Sequence, residues 1–153
     1  MGWGTGNAGF HLPNMGTEGQ FLQKQGNAAG WASALTMERI WVGADAEEGS
    51  AFAAQTIPLT LQEGEFVMII SSLTYKNATR AMEITKVGDT MRGIMITNAT
   101  TNATMKIKAR SWTVSTEGIA FEDCHSHAFD ENTYEKDNVY YIPREIYVIR
   151  GAV

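Results

Sequence analysis

From residue 35 onward, turn-forming residues interrupt the chain about every 8–12 positions, and no segment between them carries apolar side chains at helical spacing. Gln62-Glu63-Gly64-Glu65, Tyr75-Lys76-Asn77, Gly88-Asp89, the polar run 98–102 and Glu117-Gly118 are all turn-like in composition, and Gly88-Asp89 reads as a hairpin with 91–97 as the returning strand. The intervals they leave are too short for helices able to bury a stripe, so the chain is restricted to short strands. Segments 35–42, 52–61, 66–73, 80–87, 91–97, 105–114, 119–124 and 139–150 are rich in β-branched and aromatic residues and read as those strands. Seven to eight strands of this kind predict an all-β head over residues 35–153, an antiparallel β-sandwich of jelly-roll type.

Individual segments carry sharper expectations. FVMIISSL at 66–73 is the most apolar run, and its length and bounding turns predict a central strand buried on both faces. Pro58 and Pro143 lack the N–H that a ladder needs, which predicts an edge or strand entrance at the first and an edge or bend at the second. In 105–114, Lys106, Lys108 and Arg110 alternate with Met105, Ile107 and Ala109, so the basic side is expected to meet solvent. Trp112 and Val114 then fall on the basic parity, which predicts a bulge near Arg110-Ser111. Met82 and Ile84 sit awkwardly for clean alternation in 80–87. HSHAFDENTYEKDN, 125–138, is the longest polar stretch and reads as a loop, a length usually associated with function or mobility.

The leader is different in texture. Gly2, Gly4, Gly6 and Gly9 forbid a stable helix and leave Trp3 and Phe10 on a tether, either a simple terminus or an attachment arm anchored by those two rings. In GTEGQFLQKQGNAAGW, 16–31, four glycines break the segment around Phe21, Leu22 and Trp31, which then need cover from the following domain or from other copies about a symmetry axis. Gly16-Thr17-Glu18-Gly19-Gln20-Phe21-Leu22-Gln23-Lys24-Gln25-Gly26 followed by Trp31 resembles the G-T-x-G-Q-x-L-x-x-x-G…W segment of bacteriophage tail-fibre and head-fibre proteins, over about a tenth of the chain. Ile142-Pro143-Arg144-Glu145-Ile146-Tyr147 resembles the I-P-x-x-I-Y ending of similar phage domains.

What the resemblance implies is assembly or attachment: a homotrimer with Phe21, Leu22 and Trp31 as axial contacts. Residues 1–34 are expected as an attachment arm and trimerisation segment preceding the head, and the major capsid protein or another virion component as the anchoring partner. A short head fibre or capsid decoration protein of the virion, assembled in the host cytoplasm, is the reading this supports. Its alternative is a tail-fibre or receptor-binding tip that contacts host-surface carbohydrate.

Charge and chemistry narrow the function further. A formal net charge of −5, with acids grouped at 45–48 and 123–137, opposes nucleic-acid binding, which needs a basic stripe. No run of 18 apolar residues predicts membrane insertion, and the first residues lack a secretory pattern. The single Cys124 excludes an intrachain disulfide and suits a reducing compartment. Cys124, His125 and His127, with Asp123, Asp130 and Glu131 nearby, are metal-capable types, but Cys-x-x-Cys spacing and a second cluster are missing. Cys124 therefore reads as a core cysteine and no metal or cofactor is expected; a small metal-dependent hydrolase is a remote alternative. No G-x-S-x-G elbow is present, and adjacent acids such as Glu122/Asp123 point to opposite strand faces, so the chain is not expected to be an enzyme. The sequons at Asn77, Asn98 and Asn102 read as turn chemistry. His125, His127 and Tyr134 form the candidate ligand loop, and Trp41, Trp112, Tyr134, Tyr140, Tyr141 and Tyr147 are candidates either for a sugar-binding platform or for the core.

Overall fold

A computed structural model describes residues 20–25, 28–33, 35–43, 50–74, 79–98, 105–128 and 134–151. The chain divides into a first unit that includes residues up to Thr36 and a second, Met37–Arg150. In the first unit β1 (Gln20–Gln25) pairs antiparallel with β2 (Ala28–Ser33), placing Leu22 opposite Trp31 and Phe21 opposite Ala32. Trp3, Phe10 and the side-chain contacts expected of Phe21, Leu22 and Trp31 lie outside the described residues, as do the turn at 75–77 and the acidic linker at 44–49.

The second unit is all β, and no helix occurs among the described residues. Its strands are β3 (Thr36–Val42), β4 (Gln55–Pro58), β5 (Phe66–Thr74), β6 (Arg80–Lys86), β7 (Thr90–Asn98), β8 (Met105–Ser115), β9 (Gly118–Phe121), β10 (His125–Ala128), β11 (Tyr134–Lys136) and β12 (Tyr140–Arg150). One antiparallel sheet has the order β3-β12-β5-β6. In the other, β8 pairs β7 along one side and first β10, then β9 along the other, with β11 and β4 beyond them. β6 passes into β7 through a tight turn at Gly88, whose φ of 101° suits glycine and whose N–H donates to the Val114 carbonyl at 2.9 Å. Gly88-Asp89 thus carries the chain from one sheet to the other and does not close the expected hairpin: β6 pairs β5 and β7 pairs β8.

The core fills the space between the sheets. Val67 and Ile69 of β5 lie in register with Val148 and Ile146 of β12, and this row packs with Ile57, Trp112, Val114, Ile119 and Phe121 of the other sheet. β5 is central, as its apolar run predicts, with β12 and β6 on either side. β12 is internal as well, between β3 and β5, so Pro143 does not mark an edge. Its missing N–H falls at a register shift between Pro143 and Glu145, which is the expected bend.

The largest departure from expectation is β8. Lys108 and Arg110 do not face solvent; they are 5% and 1% exposed and continue inward the row that holds Trp112 and Val114. Alternation along β8 is unbroken, and its pairing with β7 runs without a shift from Thr113 opposite Thr90 to Met105 opposite Asn98. The bulge is on the neighbouring strand. Phe121 pairs with Trp112 and His125 with Ala109, so Glu122-Asp123-Cys124 oppose only Arg110 and Ser111. That extra residue switches the buried parity from Ile119 and Phe121 to Cys124, Ser126 and Ala128.

Arg110 fills the irregularity. Its Nη1 donates to the Glu122 carbonyl at 2.5 Å, its Nε to the Tyr141 carbonyl at 2.8 Å, and its Nη2 to the Phe52 carbonyl at 2.8 Å, with Asn138 Oδ1 and the Tyr140 carbonyl at 3.4 Å. Asn138 extends the network: its Oδ1 accepts the Cys124 N–H at 2.8 Å and its amide donates to Asp123 Oδ1 at 2.6 Å. Lys108 is neutralised by Asp137, and its ammonium stands 4.2 Å from the centre of the Tyr140 ring. The stretch 125–138 is therefore not simply a loop. β10 and β11 form a hairpin within it, pinned at its base by Asn138 and Asp137, and three- and four-residue strands are too short for their alternation to show against a polar composition.

A second polar group enters from β6. Ala81, Glu83 and Thr85 are more buried than Met82 and Ile84, which are 63% and 48% exposed. Thr85 accepts the Trp112 Nε1–H at 3.2 Å, and Glu83 accepts the Tyr141 hydroxyl. Burial pushes the Glu83 carboxyl up and the Tyr141 phenol up. The Tyr141 ring lies against Gly93, where any Cβ would collide with it.

Arg110→Ala is expected to lower the unfolding free energy by about 3–5 kcal/mol, because five acceptors around a buried guanidinium lose a donor at once. Arg110→Lys should not restore it, since a single ammonium cannot span those acceptors; urea denaturation measures both. A carboxyl with a raised folded-state pKa stabilises the fold when protonated, fully below the ordinary value of 4.5, and that contribution is lost as pH rises through the folded value. Glu83→Gln is accordingly expected to be more stable than the natural chain at pH ~7, with the gap closing as pH falls below about 4, in thermal melts across that range.

Candidate functional site

The inward turn of Lys108 and Arg110 sends Ile107 and Ala109 to the outer face of the second sheet. Two cross-strand rows result: Ile94, Ala109 and His125 in one, and Ile96, Ile107, His127 and Tyr134 in the next. Arg92 precedes them on β7, on the same face. Ala109 is the smallest side chain in its row, and the surface dips there into a shallow hollow of about 190 Å³ lined by Arg92, Ile94, Ile107, Ala109, His125, His127 and Tyr134. The imidazole of His127 stacks on the Tyr134 ring at 4.6 Å with 14° between planes, and Tyr134 remains 67% exposed.

The three residues expected in a ligand loop are thus brought together, on a four-strand face. Arg92, Ile94, Ile107 and Ala109 were not among the expected site residues. Their signal lay in β8: had Trp112 and Val114 set the buried parity, Ile107 and Ala109 would have read as outward-facing.

Cys124 is on the opposite side of this strand, fully buried in the core, while His125 and His127 face outward. Alternation along the strand keeps the thiol from converging with the two imidazoles. No group of three or more His, Cys, Asp or Glu among the described residues is placed to hold a metal ion. Burial also pushes the Cys124 thiol up, away from the thiolate form that nucleophilic chemistry uses. Asp123 is held well below the carboxylate range by Lys136 at 2.5 Å, then by the Asn138 amide and the Ala54 N–H.

Of the aromatic residues weighed for a sugar platform, Trp112 and Tyr141 stack in the core at 6.3 Å, and Trp41, Tyr140 and Tyr147 are half-buried. Tyr134 alone among them is exposed. No helix among the described residues is long and apolar enough to cross a membrane.

Fold and site together define an all-β protein of antiparallel, sandwich-like sheets with a polar knot inside and a ring-bearing hollow outside. No protein-family model matches the chain, and searches of curated proteins and of solved structures likewise return no match.

The burial of Cys124 sets a chemical expectation: a thiol reagent should modify the native protein at least about a hundredfold more slowly than the denatured chain. Timed alkylation followed by mass measurement checks it.

Proposed function

We propose that this chain is a non-enzymatic structural protein of a bacteriophage virion, a short trimeric head fibre or capsid decoration protein. Residues 1–34 anchor it to the major capsid protein or another virion component and supply the axial segment that carries Phe21, Leu22 and Trp31. The motif resemblance at 16–31 and 142–147 motivates the phage assignment. The observation that carries the assembly reading is the outer face of the first sheet.

On that face Phe66, Met82 and Ile84 are 44%, 63% and 48% exposed. They lie in cross-strand register with their neighbours: Ile149 with Phe66; Tyr147 with Met68 and Ile84; Ile70 with Met82. Glu145 closes the row, bridging Arg80 at 2.9 Å and Arg39 at 3.4 Å. A contiguous apolar face of this kind with a charged border is what a subunit contact covers, and covering it favours association by about 1.5–3 kcal/mol per large side chain. Three copies on one particle then multiply weak contacts with a host or capsid surface into a durable one.

The hollow beside His127 and Tyr134 favours a second reading, a receptor-binding tip that contacts host-surface carbohydrate. Aromatic and imidazole rings offering a flat face and a polar edge at a solvent-facing site are the supporting feature.

Light scattering at micromolar concentration is expected to give a mass of three chains. Met82→Glu with Ile84→Glu should weaken association by about tenfold or more while leaving the denaturation midpoint near that of the natural chain. A natural chain that stays monomeric at that concentration overturns the assembly reading.

A further inference from the structure

We propose that the hollow on the outer face of the second sheet binds a carboxylate-bearing sugar, a uronic or nonulosonic acid residue, with Arg92 pairing its carboxylate and the His127–Tyr134 stack carrying the sugar ring. The inference rests on the carbohydrate-contact reading and adds to it the chemical class of the ligand.

Charge comes first. Among the described residues no carboxylate lines the hollow, although the chain carries a net charge of −5. Arg92 is exposed and makes no ion pair among the described residues, so its guanidinium is available for a bidentate contact with a ligand carboxylate. Asp123, two residues before His125, is already bound by Lys136, the Asn138 amide and the Ala54 N–H, and does not compete for it. A depression whose described lining holds a guanidinium and no carboxylate, on an otherwise acidic molecule, attracts and orients an anion.

Shape and the remaining chemistry select a sugar acid over a simple anion. The floor formed by Ile94, Ala109 and Ile107 is apolar and shallow, and suits the C–H face of a pyranose lying flat. His127 and Tyr134 form a stacked pair at one side, adding a ring face together with the exposed Tyr134 O–H, which matches sugar hydroxyls. Arg92 and Ile94 stand on β7, while Tyr134 stands three ladder steps away on β11, about 14 Å across at the usual strand spacing. That span admits a ring with its carboxylate at one end and a linked sugar at the other. An inorganic anion would use Arg92 and leave floor and ring pair idle.

Titration calorimetry on the full chain decides the matter, with trigalacturonic acid and sialyllactose as acidic probes, galactotriose and lactose as neutral counterparts, and a pentaglutamate peptide as a non-sugar acid. At least one acidic saccharide is expected to bind, about tenfold or more tighter than its neutral counterpart. Arg92→Gln and Tyr134→Ala should each weaken that binding about tenfold with an unchanged denaturation midpoint, since both side chains are exposed. Neutral sugars binding as well as acidic ones, with Arg92→Gln silent, would overturn the charge assignment and leave the carbohydrate reading standing. Pentaglutamate binding as tightly as the acidic sugars would overturn the sugar assignment. If no saccharide binds the natural chain, the inference and the carbohydrate reading fall together.

Discussion

The guanidinium of Arg110 is the contact on which the second sheet depends. It sits where β8 exchanges one partner strand for another, and its hydrogen bonds tie the segment before β4, the bulge between β9 and β10, and the start of β12 into one junction. Burying that charge is costly, and burial pulls its pKa down. The cost is offset by neutral carbonyls that match the geometry of the donors, and by the Asp123 carboxylate one amide away through Asn138. A hydrophobic residue in its place would leave the bulge carbonyls without donors; a lysine would satisfy too few of them.

The arrangement elsewhere follows from that inversion. With Lys108 and Arg110 inside, the opposite parity of β8 must face outward, and that parity holds Ile107 and Ala109. The extra residue at 122–124 then aligns His125 and His127 with the same outer face while burying Cys124, Ser126 and Ala128. The hollow beside Tyr134 is a direct result of the polar knot behind it. β6 repeats the theme, with Glu83 and Thr85 bonded to Tyr141 and Trp112 while Met82 and Ile84 face out. Polar groups that are hydrogen-bonded inside and apolar side chains left outside suit a protein whose surfaces are completed by neighbours, which is the basis of the assembly proposal.

Strands and turns were legible because they depend on local chemistry. Each segment expected as a strand contains one, and β5 is central as its composition implies. The errors share a cause. Lys108 and Arg110 were placed in solvent because residue type alone assigns them there, yet five acceptors drawn from positions 52, 122, 138, 140 and 141 hold Arg110 inside, and Asp137 with the Tyr140 ring holds Lys108. The mismatch at Trp112 was a genuine signal of a bulge, but a parity conflict on one strand does not say whether that strand or its partner carries the extra residue. Pro143 was assigned an edge or a bend, and the bend alone proved right, because a bulge accommodates proline within an internal strand.

By itself, then, the amino-acid order determined the class of fold, the turn at Gly88, and a candidate trio of His125, His127 and Tyr134, since propensity, glycine geometry and residue chemistry all act over a few neighbouring positions. Only the tertiary structure decided which side of β8 faces the core, where the bulge lies, and that Arg92 and Ala109 join the trio. Those outcomes depend on acceptors and registers contributed by residues far apart in the chain, whose combined hydrogen bonding outweighs the local preference of any one side chain.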